Sequence, residues 1–136
     1  MSNVLIRKVL EDALAAMPGV PEFARAGKTY EPKTDVPYAA LHMIWNKPDG
    51  STLGPGFRRD SGALQITLNF PDGEGSVPVE TMAEKIRSRF RRGTTFDPGF
   101  RVLVNDHPYT NQPQPDGGWM RMAVRVPFIA DVFGAV

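Results

Sequence analysis

SGALQITLNFPDGEGSVPVETMAEKIRSRF, residues 61–90, joins a strictly alternating strand, a Gly/Asp/Pro turn and an amphipathic helix without a gap. Leu64, Ile66, Leu68 and Phe70 point one way at period two, and Ala63, Gln65, Thr67 and Asn69 point the other. That alternation predicts a strand with one face buried and one face wet. In the helix, Val79, Met82, Ala83, Ile86 and Phe90 share an inner face, with Glu80, Glu84, Arg87, Ser88 and Arg91 outside. The unit holds no nucleophile, metal cluster or phosphate loop, so it builds a surface rather than a reaction centre.

Outward from this unit the chain is equally poor in chemistry. Residues 2–16 carry Leu5, Ile6, Val9, Leu10, Ala13 and Leu14 on one helical face, with Arg7, Lys8, Glu11 and Asp12 opposite. Ser2 or Asn3 is placed to cap this helix, and Pro18-Gly19 stops it. Residues 36–45 read as a strand, Leu41, Met43 and Trp45 against Tyr38, Ala40 and His42, and Pro37 suits an edge position. The polar, glycine-rich residues 46–60 form a loop of the length that is usually functional. Gly93 is expected to end the second helix. A short β region runs through Phe96, Phe100, Val102 and Val104, residues 105–118 form a second polar loop, and 119–128 alternate again as the last strand. The order α-β-β-α-β-β predicts an α+β fold: a roughly four-stranded, mainly antiparallel sheet with both helices packed on one face. One domain spanning residues 1–136 follows from the length.

Composition narrows the function. Sixteen basic and fifteen acidic residues give a net charge of +1, so no global field selects nucleic acid or acidic membranes. No apolar run approaches the roughly 20 residues of a membrane helix, and the charged N-terminal segment is expected to be a helix of the mature protein, not a secretory signal. With no cysteine there is no disulfide or thiolate, which suits cytoplasmic synthesis. Thirteen prolines and thirteen glycines cluster in three loops, where function is expected.

Each chemical candidate has a plainer reading beside it. PDGEGS, residues 71–76, lies between strand and helix like a phosphate loop but lacks the Lys-Ser/Thr and dinucleotide spacings, and Asp72 and Glu74 would repel a phosphate. His42 and His107 have no triad partner, and a metal site would need Asp106 or Asp60 brought in by the fold. Asp49, Asp60, Asp72 and Glu74 could hold Mg²⁺ weakly, solvated loop acids being the ordinary case. No enzyme activity, cofactor or metal site is therefore expected. Lys85, Arg87, Arg89, Arg91, Arg92 and Arg101 form either the solvated face of a helix or an electropositive patch for an acidic protein surface or passing DNA. The two long loops carry aromatic and arginine anchors of the kind enriched at interfaces, Leu53, Phe57, Arg58 and Arg59 in one, Tyr109 and Trp119 at the other.

The N-terminal helix VLIRKVLEDALAAM, the strand ending Ile44-Trp45-Asn46-Lys47-Pro48 with its long loop, residues 61–90, and Asp116-Gly117-Gly118-Trp119 before an alternating strand together resemble the phage tail terminator family of long-tailed phages and prophages. The resemblance implies a structural virion protein, made in the host cytoplasm and resident in the tail. It implies a hexameric ring on the finished tail tube that ends tube polymerisation and offers the head-joining surface, from a chain that is monomeric or weakly associated when free. Implied partners are further copies of itself, the tail tube protein and the head-neck connector, with DNA only passing through the channel and no membrane. Tube or ring contact falls to residues 47–60, above all Lys47, Leu53, Phe57, Arg58, Arg59 and Asp60, and the exposed sheet face to Gln65, Thr67, Arg121 and Arg125. Charge reversal at Arg58 and Arg59 is expected to abolish capping with the fold intact. The alternatives are another head-tail joining or neck component, and a nucleic-acid-binding domain.

Overall fold

A computed structural model describes residues 2–25, 28–48 and 56–133. Helix α1, Ser2–Ala15, is followed by a two-residue strand β1, Glu22–Phe23, then β2, Tyr38–Trp45, and β3, Phe57–Pro71. A 3-10 turn, Asp72–Glu74, leads into α2, Val77–Arg89; the short strands β4, Thr95–Phe96, β5, Val102–Leu103, β6, Tyr109–Thr110, and β7, Gln114–Asp116, precede the long β8, Trp119–Phe133.

The backbone of the fold is the antiparallel β3–β8 ladder, paired without interruption from Phe57↔Phe133 to Pro71↔Trp119. Fifteen residues per strand make it about 50 Å long. β2 pairs antiparallel with β3 on one side, and β1 adds a parallel pair to the start of β2. The other edge of β8 is tiled in turn by β7 at Trp119–Arg121, β6 at Val124–Arg125 and β5 at Ile129–Ala130, with β4 outside β5. A strand as short as β7, with Pro115 at its centre, is what an edge tolerates, since proline cannot donate to a ladder.

The expected four-stranded sheet is corrected by these pairings to eight strands, mixed in direction. Residues 57–60, expected in a loop, belong to β3, and residues 105–118, also expected as loop, contain β6 and β7. Both corrections have one cause: β8 reaches past residue 128 to Phe133, and its two open edges recruit whatever backbone lies alongside.

The α+β core is one buried cluster. It joins Ile6, Leu10 and Leu14 of α1, Val79, Met82 and Ile86 of α2, and the even-numbered Leu64, Ile66, Leu68, Val124, Val126 and Phe128 of the ladder. Even parity throughout places both helices against one face of the sheet. Phe90 is fully buried as its period demands, and it caps α2 through its N–H to the Ile86 carbonyl at 3.0 Å. Gly93 lies beyond that cap, in left-handed conformation, and its N–H donates to the Val104 carbonyl at 2.8 Å to open the β4–β5 hairpin. On α1 the burial differs from expectation: Leu5 is 37% exposed and Glu11 only 5% exposed.

PDGEGS is a turn into a helix. The Ser76 hydroxyl donates to Glu80 at 2.9 Å, and Pro78 sits in the first turn, where its missing N–H costs nothing. At the same end of the ladder, Gly117 and Gly118 both have positive φ and form the two-residue hairpin loop between β7 and β8, and the Asp72 N–H donates to the Gly118 carbonyl at 3.0 Å.

Candidate functional site

Cross-strand register decides which side chains meet on the helix-free face of the sheet. Reading from β2 through β3 to β8, the odd-numbered positions of the ladder form rows: Tyr38–Asn69–Arg121, Ala40–Thr67–Ala123, His42–Gln65–Arg125 and Ile44–Ala63–Pro127. Gln65, Thr67, Arg121 and Arg125 therefore lie together, each half-buried rather than fully exposed. The Arg125 guanidinium donates to Gln65 Oε1 at 2.5 Å and lies 6.0 Å from the Tyr109 ring centroid. Arg121 donates through Nε to Asn69 Oδ1 and through Nη1 to Asp116, both at 2.7 Å. Asn69, 2% exposed, orients Arg121 from beneath; its place in the alternation was the only sequence signal for that role. The face is polar and cationic, with small side chains in the row between its arginines.

At the open end of the ladder the expected contact residues divide. Arg58 and Asp60, two apart on one strand, form an ion pair, Nε to Oδ1 at 2.8 Å and Nη2 to Oδ2 at 3.1 Å, and Asp60 is 3% exposed. Arg59 grips Asp131 with both arms of its guanidinium, Nε to Oδ1 at 2.7 Å and Nη2 to Oδ2 at 3.0 Å. These hydrogen bonds hold the Asp131 carboxyl below its ordinary pKa against the opposing effect of burial, with Coulombic help from Arg59 and Arg101. Phe57 and Phe133 pack ring to ring at 5.2 Å, and Phe133 is largely exposed. Lys47, just past β2, is exposed; Leu53 and Asp49 lie outside the described residues.

These pairings give reversal of Arg58 and Arg59 a structural cost that the sequence alone did not show. A glutamate at either position would face a carboxylate already in place; at Arg58 that carboxylate is the buried Asp60, and breaking such a buried pair is destabilising.

Two further clefts, not read from sequence as such, flank α2. At its C-terminal end Arg87, Arg91 and His107 line a cleft of about 420 Å³ with Glu84 and Pro108. Arg87 Nε donates to the Pro108 carbonyl at 3.1 Å, and Arg89 lies over the Phe90 and Phe96 rings at 5.6 and 5.3 Å. Among the described residues Arg87, Arg89, Arg91 and Arg92 have no carboxylate partner. At the N-terminal end Phe70, Pro71 and Pro78 line a cleft of about 400 Å³ together with Asp35 and Glu74. His42 lies on β2 and His107 in the loop before β6, and no group of three His, Asp or Glu able to hold a metal ion occurs among the described residues. No helix among them is long and apolar enough to cross a membrane.

An uninterrupted ladder, arginines fixed by register and two open clefts are the surface features that the described residues present. The family model for phage tail terminator proteins matches residues 5–128, and the chain belongs to that family. Its role is thus structural, in assembly of the phage tail. Among solved structures, one chain aligns with a TM-score of 0.78 over 96% of each chain at 19% identity, a likeness of fold. No curated protein sequence matches the chain.

Proposed function

We propose that six copies of this protein close into a ring on the end of the completed tail tube, stop its polymerisation and present the surface to which the head-neck connector binds. The family match carries this reading. The fold suits it: a ring needs two different complementary faces on each subunit, and the ladder, with helices on one side and a polar face on the other, offers surfaces of unlike character. The Arg121 and Arg125 rows are suited to flank the channel through which DNA passes, and Lys47, Phe57 and Phe133 at the open end of the ladder are suited to tube or ring contact. No cofactor or metal enters this function.

Electron microscopy of purified tail tubes polymerising with and without the protein tests it. Tubes of uniform, limited length bearing a ring of density at one end are the expected result. Uncontrolled tubes with no bound ring, together with binding to the connector alone, would make it a neck component instead.

A further inference from the structure

The two ends of α2 carry opposite charge for which the described residues supply no ion-pair partner. Asp35, Asp72 and Glu74 gather at the N-terminal end and form no ion pair among the described residues, as Arg87, Arg89, Arg91 and Arg92 form none at the C-terminal end. Thirteen residues of helix separate the two groups by about 20 Å, far beyond a direct contact and more than a Debye length at physiological salt. Neither group can neutralise the other within one molecule.

From this we infer that the arginine end of α2 in one copy docks against the acid-lined cleft of the next copy, making the head-to-tail contact of the ring proposed above. The cleft suits a guanidinium. Phe70, Pro71 and Pro78 give its lining an apolar part, and Asp35 and Glu74 line it too, so an arginine can lie against the apolar rings while its fork meets carboxylate. The donor side is pre-arranged too, because Arg87 is tied to the Pro108 carbonyl and Arg89 is held over two phenylalanine rings, which reduces the entropy lost on docking. A second copy is favoured over DNA as occupant because the chain's own acidic cleft supplies the matching charge at the opposite end of the same helix, and the net charge of +1 gives no long-range attraction to a polyanion. Contacts at opposite ends of one helix are heterologous, as ring closure requires.

Two variants test this, each changing exposed side chains. Arg91→Glu with Arg92→Glu cancels the charge of the arginine end; Asp72→Lys with Glu74→Lys turns the acidic end net basic. Each alone is expected to occupy tube ends about tenfold less than the wild type at moderate salt, and an equimolar mixture to recover, since the two kinds can alternate around a ring of even number. Sedimentation of the nuclease-treated proteins without tubes gives a second reading: the mixture should associate about tenfold more tightly than either variant alone, with the difference shrinking as salt rises. Wild-type protein that leaves tubes uncapped would remove the ring reading, and the sedimentation comparison would still decide the contact. Single variants that cap and associate like the wild type, a mixture that recovers nothing, or a loss confined to DNA retention in the arginine variant would each overturn the inference.

Discussion

Arg59 and Asp131, 72 residues apart in sequence, are register partners on β3 and β8 and join through two hydrogen bonds of 2.7 and 3.0 Å. They clamp the ladder where it leaves the core, so the end that carries Phe57 and Phe133 is held by polar contacts more than by burial.

The clamp should give stability a pH dependence. The folded Asp131 carboxyl titrates below its ordinary value, chiefly through its hydrogen bonds from Arg59, so the unfolded chain takes up this proton first. The stabilisation is complete above the unfolded carboxylate pKa and is lost as pH falls from about 5 through the folded value. Because Arg59 is substantially exposed, the pair is worth on the order of 1 kcal/mol. Urea denaturation between neutral and acid pH should show Asp131→Asn losing that increment at neutral pH and converging on the wild type in acid.

Phe90 fills the space between the end of α2 and the sheet, fully buried and in contact with Phe96 at 6.1 Å between ring centroids. Phe90→Ala should cost about 3 to 5 kcal/mol, a large share of an ordinary domain's stability. Chemical denaturation measures it, and near-wild-type stability would contradict the core assignment.

Gly62 pairs with Trp45, and a Cβ there would stand 1.9 Å from the Ile44 carbonyl oxygen. Backbone must therefore move to admit any side chain. Gly62→Ala should cost about 1 to 3 kcal/mol through forced separation of the strands, with faster amide exchange at Asn46, whose N–H donates to the Ser61 carbonyl at 2.9 Å.

Lys47 is the clean probe of the contact surface, since it is exposed and has no ion-pair partner among the described residues. Lys47→Glu should leave stability within about 0.5 kcal/mol and reduce capping of tail tubes. Unchanged tube lengths with this variant would remove the 47–60 segment from the tube contact. Reversal of Arg58 or Arg59 does not serve this purpose, because it would act through Asp60 and Asp131.

Local periodicity in the sequence determined the two helices, the central alternation of β3 and β8, the single apolar face they share and the burial of Phe90. Each is set by neighbours a few residues away, and the pattern survives reading without a partner. Leu5 and Glu11 departed from it because a helical stripe says which side faces inward but not how far the sheet extends beneath it. Tertiary structure alone decided the rest. Residues 57–60 look like loop by composition and become strand because β8 is long enough to pair with them; β6 and β7 are too short for any period to show and exist because β8 had an open edge. The same holds for the surfaces on which function is proposed. Arg125 meets Gln65 and Arg121 meets Asn69 across 60 and 52 residues, and the basic and acid-lined clefts are assembled from segments that are remote along the chain, so their geometry depends on ladder register, which no local pattern encodes.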